Sequence, residues 1–431
     1  MVDINKHTPS LRFPEFLNDG EWKEHTFSDV FTFVPNNTLS RANLNNENGS
    51  VQNIHYGDIL IKFGEYLNVQ TEHLPFISNV QDIERYRKAK LANGDVIIAD
   101  TAEDETVGKC TELVGIADEF IVSGLHTIAV RPNNTFATGY LGFYMNSNSY
   151  REQLKRVMQG VKVLSVSKTA ISQTRLRFPS SRIEQGRIAD CLTFLDSYIY
   201  DTKSKLQQLK AHKRGLMQRL FPAKGKTVPE LRFPEFLNDG EWEIKKLRDI
   251  ATFSKGKGIS KTDVTANGTT PCIRYGELYT TYKETITDVS SFTDLPVTDL
   301  FLSKANDVII PSSGETKEDI ATASCIIKDG IAIGGDINVI RTSNNGIFLS
   351  YYLTYVKKND IARIAQGVSI IHLYNEQLRD LVVELPNSIK EQQRIADCLQ
   401  SVDNVIKSYE DKITALELHK KGLMQQLFPK L

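Results

Sequence analysis

Residues 11–22 read LRFPEFLNDGEW, and the same twelve letters return at 231–242. RIADCL at 187–192 returns at 394–399, and each copy runs on to GLMQ, one further residue and LFP. The chain is therefore a duplicated unit. The opening motifs lie 220 residues apart and the closing motifs 207, so the first half holds 13 more residues between its ends. The ends are held while the middle drifts. A body built this way presents two similarly mounted surfaces of different shape, which suits a partner read at two places.

Each half closes with a segment punctuated as a long helix. Ser181 with Glu184, after Pro179, and Ser388 with Glu391, after Pro386, have the spacing of a capping box, in which serine and glutamate serve each other's free N–H groups. Pro222 and Pro429 supply the stop, because proline cannot continue the ladder. The predicted helices cover 182–220 and 389–427, about 58 Å each at a rise of ~1.5 Å per residue. Apolar residues alternate at spacings of four and three: Ile188, Leu192, Leu195, Ile199, Thr202, Leu206, Leu209, Lys213, Leu216 and Leu220 in the first. Ile395, Leu399, Val402, Ile406, Tyr409, Ile413, Leu416, Lys420, Leu423 and Leu427 match them in the second. These are heptad seams, and two matched seams in one chain pair most simply with each other. Lys213 and Lys420 interrupt them at the same place, as expected of a residue that fixes register at some cost in stability.

The segments between look like mixed, strand-rich domains. IHYGDIL at 54–60 aligns with IRYGELY at 273–279, and GDVII at 94–98 with NDVII at 306–310. These runs, bounded by glycine, asparagine or aspartate, read as short buried strands. Polar loops follow at 100–109 and 312–322 and differ between the halves, whereas GVKVLS at 160–165 aligns with GVSIIH at 367–372. Shared frame and divergent loops place specificity in the loops. PAKGKTVPE at 222–230 is the expected linker.

The 431 residues are 40% hydrophobic and 24% charged, ordinary for a folded protein of two to four domains. The opening MVDINKHTPSLRF has no apolar run and no stretch of 18 apolar residues occurs, so neither a signal peptide nor a membrane span is expected. The cytoplasm is the expected location. Cys110, Cys191, Cys272, Cys325 and Cys398 form no CxxC pair and read as reduced thiols, with Cys191 and Cys398 packing on the helices. A net charge of −1 argues neither for nor against nucleic acid. Locally, Arg151, Lys155, Arg156, Lys162, Lys168, Arg175 and Arg177 face only Glu152, a candidate phosphate-facing patch. The matching stretch 357–379 sets four basic residues against two acidic ones.

Catalytic motifs are missing. Lys255 to Lys261, KGKGISK, fails the spacing of a phosphate loop, and there is no HExxH, zinc-spaced Cys/His cluster, GxSxG or Asn-Pro-Pro-aromatic tetrapeptide. His212 and His419 are equivalent surface residues. Asp307 with Glu315, Thr316 and Lys317 has the look of a metal-dependent nuclease, yet the first half has no counterpart. A stand-alone nuclease and a coiled-coil scaffold that binds no DNA are the competing readings.

The tandem order of LRFPEF openings, YGD/YGE and (G/N)DVII elements, RIADCL helix starts and GLMQ helix ends strongly resembles the specificity (S, or HsdS) subunit of type I restriction-modification enzymes, over essentially the whole chain. The resemblance implies an α+β fold of two mixed α/β target-recognition domains separated by an antiparallel coiled coil of two long helices, a pseudo-two-fold internal repeat. Its layout here is a first recognition domain at 1–181, a central spacer helix at 182–221, a linker at 222–230, a second recognition domain at 231–387 and a distal helix at 388–431. It implies a non-catalytic subunit whose domains each read half of an interrupted, asymmetric site on double-stranded DNA, half-sites one turn apart being about 34–36 Å between centres. It further implies two methyltransferase subunits and restriction-translocase subunits as partners, no membrane, and no cofactor in this chain. S-adenosylmethionine, ATP and magnesium are implied for the partners. By chemistry the candidate DNA-contacting residues are His55, Tyr56, Thr106, Lys109, Lys162, Ser165 and Lys168 in the first domain. In the second they are Arg274, Tyr275, Ser312, Ser313, Thr316, Lys317, Ser369 and His372.

Overall fold

The computed structural model describes residues 8–367 and 370–429, so Ser369 lies outside the described residues. The chain divides into two compact units, one of Met1–Lys203 with Asp411–Leu431 and one of Ser204–Glu410. Each unit thus combines a globular domain with the start of one long helix and the end of the other. The long helices are Arg182–Leu220 and Ile389–Leu427.

Every sheet of the first unit has a twin in the second. The larger sheet runs Phe31–Val34, Thr127–Pro132, Val96–Ala99, Cys110–Val114, Tyr66–Asn68, antiparallel except for its last pair. Its twin runs Ala251–Lys255, Ile337–Thr342, Asp307–Pro311, Ser324–Ile326, Thr285–Ile286 with the same senses. A four-stranded sheet in each unit and two short two-stranded ribbons repeat in the same way. Val96, Ile97, Ile98 and Ala99 are all buried, as are residues 307–311, which is why these apolar runs are continuous rather than alternating. Burying each large aliphatic side chain there contributes roughly 1.5–3 kcal/mol.

The aligned segments IHYGDIL and IRYGELY, read as strands from their apolar letters, are strand for only their first residue. The strand Gln52–Ile54 ends and a helix, Tyr56–Ile61, begins at once, with the His55 ring accepting the Gly57 N–H. In the second unit the strand Thr270–Ile273 gives way to the helix Glu277–Thr280. The tyrosine and glycine belong to helix starts, where a side-chain acceptor replaces the strand ladder.

The held ends of the repeat touch each other. Arg12 donates to both carboxylate oxygens of Glu184, at 2.7 and 2.8 Å, and Trp22 Nε1 donates to the same carboxylate at 3.2 Å. Arg232, Trp242 and Glu391 repeat this arrangement at 2.7, 2.8 and 3.4 Å. Glu184 and Glu391 therefore do not turn back on the serines as a capping box requires; a buried guanidinium outcompetes the local N–H. The opening motif also takes the other helix's end, through Leu11 N–H to Gln426 O and Leu231 N–H to Arg219 O.

Within each unit the helices run antiparallel. Lys203 meets Glu417 and Lys420 meets Asp196 in the first unit, while Lys210 meets Glu410 and Lys213 meets Asp403 in the second. The seam residues Ile188, Leu192, Leu195, Ile199, Leu206, Ile395, Leu399, Ile406 and Ile413 are buried. Each seam lysine is held by two carboxylates. Lys420 reaches Asp196 at 2.6 Å and Glu65 at 2.7 Å, and Lys213 reaches Asp403 at 2.8 Å and Glu284 at 3.5 Å. Burial pulls the Lys420 ammonium down, but Glu65 and Asp196 together hold it above the ordinary lysine value.

Candidate nucleic-acid interface

The divergent loops meet on one frame in each unit. In the first, the ribbon of Thr101–Ala102 with Leu164–Ser165 lies beside the helix start at Tyr56 and the bend at His126. Asp100 donates its N–H to His126 O and accepts from Val166 N–H. In the second, Ser312 donates to Asp336 O and accepts from Leu373 N–H, and Ser313 pairs with His372. The bonds fall in the same places, so Asp100 and Ser312, Thr101 and Ser313, His126 and Asp336, Ser165 and His372 are structural equivalents.

Two glycines shape the ribbons. Gly160 and Gly367 have φ of +117° and +123°, and a Cβ on either would lie 1.9 or 2.0 Å from the carbonyl oxygen three residues on. Only glycine closes that turn, which is why GV opens both copies.

The side chains differ. In the first unit the Tyr56 ring meets the His126 ring edge-on at 5.3 Å, and His126 Nδ1 lies 3.4 Å from both Asp100 Oδ1 and Thr101 Oγ1. Thr101 gives its own hydrogen to Asp100 at 2.8 Å. His55 is buried; its ring nitrogen is spent on Gly57, and burial together with the Arg41 charge keeps it below the usual histidine range. In the second unit Ser313 Oγ lies 3.2 Å from His372 Nδ1. Beside it an open cleft of about 1200 Å³ is lined by Lys261, Arg274, Tyr275, Glu277, Glu315 and Asp336, among others. Arg274 Nε is buried and meets no acceptor among the described residues. Glu277 is committed to the Arg274 N–H and to Ser291.

His55 packs on Tyr56, whose ring meets His126 beside Thr101, the ribbon partner of Ser165. Arg274 and Tyr275 line the cleft with Asp336, whose carbonyl takes the N–H of buried Ser312, the neighbour of the Ser313–His372 pair. The frame leaves others apart. Thr106 closes a local turn on Asp104, and Lys109 donates to Leu60 O; both line a separate cavity with Glu65, Arg151 and Lys155. Burial lowers the Lys109 ammonium. Lys162 is exposed on the tight turn after Gly160, and Lys168 stands over the Phe33 ring. Thr316 caps the helix Lys317–Ile320, with Lys317 exposed at its first position.

The basic stretch 151–177 is not one phosphate-facing patch. Arg151 is turned onto the carbonyls of Glu105 and Val107, Lys155 pairs with Glu105 and Glu152, and Arg177 is buried against Glu24. The nuclease-like set does not assemble either. Asp307 is fully buried in a bidentate pair with Arg341 at 2.7 Å, as Asp95 is with Arg131 in the first unit. Among the described residues no three His, Cys, Asp or Glu side chains are grouped to hold a metal, and no helix is long and apolar enough to cross a membrane.

Sequence reasoning missed His126 and Asp336. The signal was present: HTIAVR at 126–131 and DINVIR at 336–341 each run from a polar residue along a strand to the arginine that pairs with the buried aspartate.

One mixed domain, present twice on antiparallel helices and carrying a different polar cluster on each copy, defines a duplicated recognition protein. The type I restriction modification DNA specificity domain matches residues 19–211 and 239–418, and the chain belongs to that family as a non-catalytic specificity subunit. It is 22% identical over 418 residues to the putative type I restriction enzyme MjaX specificity subunit of Methanocaldococcus jannaschii, covering 94% of this chain and 92% of that one. The MjaVIII specificity subunit of the same organism is 24% identical over 296 residues, 64% of this chain and 66% of its own. Among solved structures, the type I S subunit from M. genitalium has the same fold at a TM-score of 0.60 and 15% identity, covering 98% of this chain and all of that one.

Proposed function

We propose that each unit reads one half of an interrupted, asymmetric sequence on double-stranded DNA, and that the subunit carries this reading to two methyltransferase subunits and to restriction-translocase subunits. The observation that carries the proposal is a single backbone frame bearing two different sets of hydrogen-bonding side chains, since base edges are told apart by donor and acceptor pattern. In the first unit Tyr56, Lys162, Ser165 and Lys168 face the DNA and His55 supports them; Thr106 and Lys109, in their separate cavity, stand apart from that face. In the second, Arg274, Tyr275, Ser313, Lys317 and His372 face it, Ser312 and Thr316 support them, and Ser369 belongs with His372 by sequence. With a net charge of −1, the chain draws much of its phosphate neutralisation from the methyltransferase partners. S-adenosylmethionine, ATP and magnesium act on those partners.

The test is to co-express the chain with a methyltransferase subunit and map methylated bases across the host genome. A single interrupted, asymmetric motif is expected. Methylation at an uninterrupted motif, or none above that of the methyltransferase alone, overturns the proposal.

A further inference from the structure

We infer that Arg274 and Asp336 together read one C·G base pair in the half-site of the second unit, and that His126, standing at the place of Asp336, gives the first unit a different preference. This rests on the DNA-reading proposal above.

Three observations converge. Arg274 and Asp336 line the same open cleft of about 1200 Å³. Among the described residues no side-chain hydrogen bond or ion pair holds the Arg274 guanidinium; its Nε is buried, so the terminal nitrogens are the ones left for a partner in the cleft. Asp336 is about half exposed, and the cation nearest its carboxylate is Lys255 at 3.9 Å, too long to occupy it. A guanidinium and a carboxylate facing one cleft match the major-groove edge of a C·G pair. Arginine donates to guanine O6 and N7, and aspartate accepts from the cytosine amino group. No other pair offers two acceptors on one base and a lone donor on the other.

The first unit keeps the frame and changes the chemistry. His126 occupies the position of Asp336 by the matching backbone bonds to Asp100 and Ser312. It does so at φ +53°, a conformation that non-glycine residues seldom adopt and that clusters at working sites. Its Nδ1 faces Asp100 and Thr101, whose hydroxyl hydrogen is already given to Asp100, so Nδ1 is placed to donate to that carboxylate, and the side chain is about half exposed. His55, at the place of Arg274, is buried and spent on Gly57. The guanidinium nearest His55 in the first unit, Arg41, is bound through both terminal nitrogens to Asp58 at 2.9 Å, so no unengaged guanidinium takes the part of Arg274 there.

The experiment uses the full chain with its methyltransferase and compares methylated motifs for the wild type, Asp336→Asn and His126→Asn. Asparagine is bidentate to adenine and tolerates a left-handed backbone, so both variants keep the frame. The second half-site of the wild type is expected to contain a C·G pair whose replacement lowers methylation on the order of 10- to 100-fold. Asp336→Asn shifts that one position toward A·T and leaves the first half-site as it was; His126→Asn alters a single position of the first half-site only. A second half-site without a C·G pair, or an Asp336→Asn complex with unaltered base preference, overturns the inference while leaving the specificity-subunit reading intact. A uniform loss over all sequences also overturns it, since that marks a backbone contact. A wild-type complex that marks no interrupted motif overturns the broader reading and this one with it.

Discussion

Removing the Glu184 carboxylate, as in Glu184→Ala, should loosen the first unit far more than a surface ion pair would. Arg12 and Glu184 have side chains only 7% and 1% exposed, joined by two short bonds. Taking away one partner leaves a guanidinium buried without a counter-charge, a cost of about 3–5 kcal/mol. Trp22 Nε1 loses its acceptor as well. For a unit of this size each kcal/mol moves the midpoint by roughly 2–4 °C, so a fall of about 6–20 °C is expected. The double variant Arg12→Met with Glu184→Leu should recover most of it, because paired apolar replacements carry no stranded charge. Thermal unfolding gives the size of the effect, and hydrogen exchange resolved by segment gives its place, which should be residues 11–22 and the start of the first long helix. A cost below about 1 kcal/mol, the range of exposed pairs, would refute the reasoning. So would a loosening centred on 231–386.

Burial pushes the Glu112 carboxyl up to about 7 despite N–H bonds from Gly139 and Gly142. Its folded value lies above the unfolded one, so its stabilisation is complete below about pH 4.5 and is lost as pH rises through 7; the first unit should lose about 1 kcal/mol between pH 6 and 8, and Glu112→Gln should flatten that slope in denaturant titrations. Replacing residues 243–386 with the same domain of a relative should change one half of the methylated motif and leave the other, whereas change in both halves would defeat the two-module reading. Residues 1–222 alone should form a homodimer at micromolar concentration in which Lys213 of one copy meets Asp196 and Glu65 of the other, as Lys420 does in the full chain. With methyltransferase subunits it should mark an interrupted palindrome, since a two-fold protein reads a two-fold sequence, and a monomeric fragment would contradict this.

The parts of the fold legible in the sequence are those whose cause is local or repeated. Proline stops and heptad spacing mark helices at 182–220 and 389–427 because each signal lies within a few residues of its effect. Glu184 misleads because its partner, Arg12, lies 172 positions away, and a glutamate three residues after a serine looks the same in either role. Tyr56 and Gly57 read as strand since an apolar run does not say where its ladder ends; a histidine cap decides it, and that needs coordinates. The basic count at 151–177 fails for a related reason. Charge along a chain says nothing of which arginines the fold turns inward, and Arg151 and Arg177 are turned inward. Among the candidate positions, Ser313 and His372, which lie 3.2 Å apart, were legible because loop polarity is visible, while His126 and Asp336 were hidden at the foot of strands that draw the eye to their apolar letters.

The seam lysines explain why the repeat keeps its ends. A lysine that served helix register alone would need one carboxylate, on the facing helix. Lys420 and Lys213 each take a second from the recognition domain, Glu65 at the residue before the strand Tyr66–Asn68 and Glu284 at the residue before the strand Thr285–Ile286. Aromatic rings close the remaining side, Phe143 for Lys420 and Tyr351 with Tyr355 for Lys213, at 5.1–5.5 Å. With three sides spoken for, the ammonium can stay charged in a buried place, and any slip of the helix strands a carboxylate on the domain as well as one on the helix. Register and domain mounting are thus one constraint rather than two. None of the carboxylates and rings that hold the two lysines comes from the loops at 100–109 and 312–322, so those loops can change their side chains without removing a contact that mounts the domain.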